Sequence, residues 1–358
     1  MITKNEKTYT STEDKLVVGA LERLVEFKDT GMLKPQSLQL APTDVCAMDC
    51  VFCSTKYRNY NYTIMPQSES KVIRGNKKTM PDIIMLSQIK PVLDDLISLG
   101  ALKTVELTGA GDSIHHPEIN ELISYLASKG LEIGMITHGM GLTKLVTQEN
   151  LDKLAWLRVS LASFDPQNFH GNNSGHKNAV YIDKFPNLPE SIKGKLGFSY
   201  VWGPNSRIEI LDKIADYAKN HQVDFVRIVP DCLDAPRQKQ YRDHIMPIID
   251  GYNGKLGKEV LFFQAKRYDV YDKCRIGFIK PYLNADGYFY HCSAVPLYNQ
   301  AFTPHWRMGH MGEVKKIWQA ENIGKFNTSH CEYGKCFYAP QNELLDSIAK
   351  GGVHKNFI

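Results

Sequence analysis

The chain has 358 residues, 43% hydrophobic and 23% charged, ordinary values for one large globular domain with a smaller one, or for two domains. Its net charge of +4, from 43 basic and 39 acidic residues, is too mild to call for a nucleic-acid partner. No apolar run reaches the length of a membrane span, residues 1–15 are too polar for a signal peptide, and eight cysteines then argue for metal rather than disulfides, so a cytoplasmic, membrane-free protein is expected.

Residues 11–36 are predicted as a helix, capped by Ser11 or Thr12, with Leu16, Ala20, Leu24 and Phe27 on one face and Gly31 and Pro35 at its end. A short strand over 37–40 follows and leads into a cysteine loop. Helix is predicted over 81–99, where Ile84, Leu86, Ile89, Val92, Leu93 and Leu96 form the stripe and Pro91 is expected to kink or split it. Strands are predicted over 104–107, 131–137, 156–161, 196–202 and 224–229, with helices over 118–129, 148–154 and 206–220 between them. About six strand-plus-helix units between 37 and 250 predict parallel strands with helices outside, in an open or closed barrel. Chemistry in such a barrel belongs at the C-terminal strand ends. From about residue 255 the pattern changes: a strand over 260–263, a hairpin of 282–284 and 288–290 around Ala285-Asp286-Gly287, and a short helix over 314–320. Four cysteines gather there, which predicts a second, metal-stabilised module.

The cysteine loop carries the densest chemistry. Cys46, Cys50 and Cys53 are spaced C-x3-C-x2-C, with Phe52 directly before the third. Three thiolates hold three corners of a four-iron cluster and leave the fourth iron open to a ligand. A closed structural zinc site would want a fourth Cys or His, and the next forty residues contain neither. The run resembles the signature of the radical S-adenosylmethionine (radical SAM) enzymes. In that family the open iron chelates the amino and carboxylate groups of S-adenosylmethionine, whose reductive cleavage yields a 5′-deoxyadenosyl radical that abstracts hydrogen. The resemblance implies a [4Fe-4S] cluster on Cys46, Cys50 and Cys53, a cofactor contact at Phe52, and a reductant such as flavodoxin or ferredoxin.

The strand ends extend the resemblance. Glu106-Leu107-Thr108-Gly109-Ala110-Gly111-Asp112 is similar to the family's glycine-glycine-glutamate motif, and His116-Pro117-Glu118 fits the tail of that motif. Two glycines let the backbone approach a ligand, although a tight β-α turn needs them equally. The chain departs from the family in having Ala110 in the middle glycine slot and Asp112 as a shorter acid. Thr137-His138-Gly139 resembles Thr-Asn-Gly, and Arg158-Val159-Ser160-Leu161-Ala162 resembles Arg-Val-Ser-Leu-Asp, with Ala162 replacing the acid. By resemblance, Gly109, Ala110, Gly111, Asp112, Thr137, His138 and Ser160 are cofactor-binding candidates. Ser160 is expected at the ribose or carboxylate, while His138 reads equally as a supporting turn residue. The implied fold is a partial (β/α)6 TIM-like barrel over 37–250, after an N-terminal helical extension over 1–36.

Residues 251–358 resemble a twitch or SPASM module. Cys274 and Cys292 are spaced C-x12-G-x4-C around Gly287, and Gly309-His310-Met311-Gly312-Glu313-Val314-Lys315-Lys316-Ile317-Trp318 fits the stretch that follows. With Cys331 and Cys336, four thiolates are available, enough to close one auxiliary [4Fe-4S] cluster. A zinc site on the same four thiolates is the alternative. Cys232 reads more simply as a small buried residue than as an active-site thiol.

A second, fully ligated cluster implies that the substrate radical loses a further electron while a base takes a proton. No residue stands out as that base. Modified ribosomal peptides are the largest substrate class of this group, although only 36 residues precede the first strand, short of the extra peptide-binding domain that peptide maturases carry. Aminocyclitol or sugar dehydrogenation and decarboxylation is a second class. Nucleotide or nucleic-acid base modification is a third, favoured by Tyr57, Arg58, Tyr60, Tyr62, Lys71, Arg74, Lys77 and Lys78 in the loop 54–80. That loop could equally be a peptide lid or a solvated loop. A non-enzymatic zinc-binding protein is the remaining alternative.

Overall fold

The computed structural model describes residues 12–46, 50, 52–53, 63–64, 72–73, 82–109, 111–139, 141–161, 192, 195–203, 206–220, 223–231, 238–256, 260–264, 269–294, 306–331 and 336–351. Helix α1 (Glu13–Thr30) begins at Thr12, whose hydroxyl accepts from the Lys15 N–H, and stops at Gly31, which takes the left-handed φ of 72°. It bends at Ala20, next to Gly19, whose carbonyl accepts from the Gln36 side chain at 2.7 Å. Strand β1 (Ser37–Leu40) follows as predicted. The segment read as a loop carries a two-residue antiparallel pair, β2 (Thr63–Ile64) and β3 (Val72–Ile73).

Helix α2 (Leu86–Ser98) starts later than predicted, because residues 82–84 are extended and Ile83 pairs with Thr43. It runs unbroken through Pro91. Then come β4 (Thr104–Leu107), α3 (Ile119–Ser128), β5 (Glu132–Thr137), the short helices α4 (Leu142–Leu145) and α5 (Gln148–Asp152), β6 (Leu154–Ser160), β7 (Leu196–Trp202), α6 (Ile208–Asn220) and β8 (Phe225–Pro230). Helix α7 (Gln238–Leu256) was not anticipated, and its interior Pro247 is one reason. It packs on β9 (Leu261–Phe263). The last stretch holds α8 (Ile276–Ile279), β10 (Tyr282–Leu283), β11 (Tyr288–Tyr290), β12 (Arg307–His310), α9 (Val314–Ile317) and α10 (Ala339–Lys350).

All the strands from β4 on, with β1, form one sheet of order β12-β11-β10-β1-β4-β5-β6-β7-β8-β9. From β10 to β9 every pairing is parallel, the α/β arrangement of a partial TIM-like barrel. The C-terminal hairpin therefore extends the barrel sheet: β10 pairs directly with β1, Gln39 against Tyr282.

Alternation gives the sheet two unlike faces. Leu38, Leu40, Val105, Leu107, Met135, Leu157, Val159, Phe198, Tyr200, Val226, Ile228 and Phe263 pack with the helices in one continuous core. The alternate positions are Gln39, Glu106, Gly134, Trp156, Arg158, Ser160, Gly197, Ser199 and Arg227. Polar and charged groups thus line the inner face. Its two glycines are covered by rings: a Cβ on Gly134 would lie 2.2 Å from Trp156, and one on Gly197 would lie 2.1 Å from Phe225.

Candidate active site

Strand β1 delivers the chain to the cysteine loop between two backbone rails. On one side the Thr108 N–H donates to Leu40 O (3.0 Å), Gly111 to Thr43 O (3.2 Å) and Asp112 to Val45 O (2.8 Å). On the other, Ile84 donates to Pro42 O (2.9 Å) and Asp44 to Asp82 O (3.1 Å). Residues 41–45 are therefore held from both edges up to Cys46. The Cys53 N–H donates to Cys50 O at 3.1 Å, closing a turn between the second and third cysteines. All three thiols and Phe52 are half-buried, and no disulfide takes a thiol.

The glycines of the next strand end are required by contact. Gly109 has φ 143°, and a Cβ there would lie 2.0 Å from the Ala41 Cβ. A Cβ on Gly111 would lie 2.4 Å from the Val45 carbonyl oxygen. Neither position admits a side chain while the loop rests on 41–45. Ala110 lies outside the described residues.

Asp112 is a buried junction. Its Oδ2 accepts from the Thr137 hydroxyl (2.8 Å) and from the His138 N–H (2.7 Å), and Oδ1 accepts from the Ile114 N–H (3.3 Å). The His138 Nε2 also lies 3.2 Å from Oδ2 and 3.2 Å from the His115 Nε2. Burial and the neighbouring His138 push the His115 imidazole below its ordinary value, against the pull of Asp112. Asp112, Thr137 and His138 are thus brought together, and their contacts tie the end of β4 to the end of β5. His116 does the same toward α2: its Nε2 donates to Ile84 O at 2.9 Å and its Nδ1 accepts from the Glu118 N–H at 3.1 Å. Ser160 stands apart from this junction, its hydroxyl 3.4 Å from that of Ser199.

The four C-terminal cysteines are near enough to influence one another's ionisation. Burial, then the closeness of Cys292, Cys336 and Cys331, drives the Cys274 thiol well above its ordinary value. Cys331 is pushed up to about 12 by burial, then by Cys292 and Cys336. Cys336 is raised by burial although backbone N–H groups of Tyr338 and Ala339 approach it, the first at 3.3 Å. Cys292 and Cys331 pack against Ala41, Tyr282, Tyr290 and Trp306. Tyr282 in turn reaches Gly109: a Cβ there would meet its hydroxyl at 3.4 Å. Among the described residues, no group of three or more His, Cys, Asp or Glu is gathered for a single metal ion.

The Radical SAM superfamily model matches residues 40–218, half of the chain. The chain belongs to the radical SAM superfamily. It is also similar to the GTP 3′,8-cyclase of Pseudomonas savastanoi pv. phaseolicola, 28% identical over 202 residues, 55% of each chain. The match thus spans little more than half of that relative. Among solved structures it is similar to the crystal structure of Streptococcus suis SuiB bound to precursor peptide SuiA, with a TM-score of 0.53 and 12% identity over 88% of this chain and 72% of that one. At that identity the likeness speaks for the fold.

A radical SAM protein carries a [4Fe-4S] cluster with S-adenosylmethionine, and the residues present fit one. Three cysteines close no fourth corner, and the loop beside them bears the two obligatory glycines. Next to Asp112, Ser113 Oγ is buried without a hydrogen-bond partner among the described residues. The rear cysteines suit a metal centre by donor type alone: the thiols raise one another's ionisation cost, and a bound metal would relieve it, although among the described residues they are not gathered around a single ion.

Sequence reasoning missed the charged floor between the two cysteine sites. Glu106 lies 3.4 Å from the Lys280 Nζ. Burial alone would raise the Glu106 carboxyl, but Lys280, Arg158 and the Gln39 amide outweigh it and hold it below the usual glutamate value. Lys280 faces Tyr338 as well, and both partners outweigh burial and raise its ammonium above its ordinary value. Tyr338 in turn feels Cys292 and Cys336, so the group links the inner face to the rear cysteines. The signal was available in Thr104-Val105-Glu106-Leu107, where an acid occupies an alternate position of a buried strand. Cys232, Ala162 and the basic and aromatic residues of the 54–80 loop lie outside the described residues.

Proposed function

We propose that this chain is an oxidative radical SAM enzyme with two cluster sites, the first on Cys46, Cys50 and Cys53 and the second on Cys274, Cys292, Cys331 and Cys336. The observation that carries this reading is that the rear thiols raise one another's ionisation cost, with Cys292 and Cys331 packed against Tyr282 and against Ala41, which follows β1 at the start of the first cysteine loop. When bound, the first cluster would pass one electron to S-adenosylmethionine, whose adenosyl radical takes a substrate hydrogen, and the second would accept the next electron. The division that follows is a helical extension over 1–36, the barrel over 37–250 and a twitch-like module over 251–358.

The chain's own residues do the positioning. Gly109 and Gly111 keep the strand-end backbone bare toward the methionyl amino group. Asp112 and Thr137 spend their polar atoms on each other and on the His138 N–H, so they hold the loop in place. Ser160, on the inner face, is the polar group offered to the ribose or carboxylate. Glu106, held ionised, is a poor proton acceptor and serves as a fixed charge.

A side chain of a ribosomal peptide is our first substrate reading. A nucleotide is the second, favoured by the sequence relation to a GTP 3′,8-cyclase. The test is iron, sulfide and EPR on anaerobically reconstituted protein, with 5′-deoxyadenosine release under dithionite. About eight irons per chain in the wild type, about four in the Cys46→Ala/Cys50→Ala/Cys53→Ala variant, and deoxyadenosine from the wild type alone are expected. About four irons, all lost in that variant, would remove the second cluster and the oxidative reading with it.

A further inference from the structure

The turn that carries Cys274 is gripped by chain that follows it more than fifty residues later. Asn342, on α10, turns its Oδ1 to two backbone donors at once, the Arg275 N–H at 2.7 Å and the Ile276 N–H at 2.9 Å. Arg275 stands at the cap position of the short helix α8 and supplies no side-chain acceptor of its own. Asn342 therefore caps α8 from another helix, and without it two buried N–H groups would lose their acceptor. The next donor in line, the Gly277 N–H, is directed at the Cys274 sulfur.

Asp346 lies one helical turn on from Asn342, on the same face of α10. Its Oδ1 pairs with the Arg275 guanidinium at 2.7 Å, and its Oδ2 accepts from the Tyr271 hydroxyl at 3.0 Å, with the Lys350 ammonium beside it. Asn342, Asp346 and Arg275 are 2%, 3% and 7% exposed, so water offers no replacement partner. A second strap comes from the segment before Cys331. Lys273 pairs with Asn327 as an antiparallel bridge, and the Thr328 hydroxyl donates to Asp272 O at 2.7 Å. Helix α10 itself starts just after Cys336, and its Asn342 N–H donates to Tyr338 O at 2.9 Å. The segments that bear Cys274, Cys331 and Cys336 are thus tied to one another by amide, carboxylate and hydroxyl groups rather than by the sulfurs.

We propose that Asn342 and Asp346 are positioning residues for the rear site: α10 clamps the Cys274 turn against its partners, so the C-terminal helix decides whether a second cluster is loaded and kept. The clamp rests on the two-cluster reading for what it serves, while the ties themselves need no metal.

The test uses full-length, anaerobically reconstituted protein and the rate at which EDTA strips its iron, followed by EPR. In the Cys46→Ala/Cys50→Ala/Cys53→Ala background all the iron is the rear site's. There Asn342→Leu, close in shape but without an acceptor, should lose iron about tenfold faster. Asn342→Asp keeps the acceptor and should restore the slow rate, which a merely space-filling role would not predict. With the front cysteines intact, Asn342→Leu should still release 5′-deoxyadenosine. If Asn342→Leu fails to fold, Tyr271→Phe decides in its place: it removes one hydrogen bond from the clamp and should speed the loss about threefold. An unchanged rate in the variant that decides would overturn the proposal. So would loss of deoxyadenosine release in step with rear iron, since Asn342 would then support the whole fold. A wild type with no second cluster would overturn the two-cluster reading alone. The rear thiols are then open to iodoacetamide, and alkylation of Cys274 settles the clamp: faster in Asn342→Leu supports it, unchanged overturns it.

Discussion

The two cysteine sites are built on opposite principles. The front site is held by backbone: residues 41–45 lie between two hydrogen-bonded rails, and Gly109 and Gly111 are chosen for contact with that segment. The rear site is held by side chains: Cys292 and Cys331 lie against Tyr282, Tyr290 and Trp306, and the thiols burden one another electrostatically. Three thiols on a backbone scaffold would leave a corner of a four-iron cluster for a ligand, whereas four thiols, two of them packed against rings, would fill every corner. On the proposed two-cluster reading, the first site is the one that binds a ligand and the second is the one that is closed.

The sharpest way to break that comparison is to remove one thiol from each. Cys50→Ala should reduce 5′-deoxyadenosine release to background and about halve the iron content. Cys292→Ala should lose a similar share of iron yet keep releasing deoxyadenosine, because the front scaffold is untouched. Quantified deoxyadenosine per iron distinguishes them, and equal loss in both variants would mean that the sites are not separable.

What could be read beforehand follows the same divide. The front site lies in one stretch of chain with strand ends that repeat in order, so local spacing carried it. The parallel barrel was legible because its strands alternate with helices of clear period, as at 196–202 and 208–220. The direct pairing of β10 with β1 was not, because two residues, Tyr282 and Leu283, carry no signal of a partner more than 200 positions away. The ion pair of Glu106 with Lys280 was missed for the same reason. Asp112 was read for its motif position, and its ties to Thr137 and His138 needed two strand ends to be placed side by side.

The next largest effect is expected at the floor between the sites. Lys280→Met leaves Glu106 with Arg158 and Gln39 alone, and should cost about 3 kcal/mol of unfolding free energy at neutral pH. In the wild type the Glu106 carboxyl is depressed, so its contribution is present above the ordinary glutamate value and lost as pH falls through the folded one. The deficit of the variant should accordingly shrink in acid, as Glu106 becomes neutral and needs no partner. Urea unfolding at pH 7 and pH 4.5 checks both parts. Smaller still is Asp112→Ala, which strands the Thr137 hydroxyl and the His138 N–H in a buried place. About 2 kcal/mol is expected, with Asp112→Asn losing less because its amide oxygen still accepts.

The smallest prediction sharpens the contrast by pH. His116 uses both ring nitrogens in its neutral form, Nε2–H toward Ile84 O and bare Nδ1 toward the Glu118 N–H. Burial is the main reason its imidazole titrates below the ordinary histidine value, only partly offset by Ile84 and Glu118. The unfolded chain then binds this proton first on acidification, so the His116 contribution is full above that ordinary value and is lost as pH falls through the folded one. Protonation would turn Nδ1 into a donor facing another donor, and the tie from the strand-end loop to α2 would fail. Wild type should therefore lose stability from pH 7.5 to pH 5.5, and His116→Gln, weaker at the start, should lose less over the same interval. A variant that keeps the full wild-type slope would place the acid sensitivity elsewhere, with the His115–His138 pair as the next group to replace.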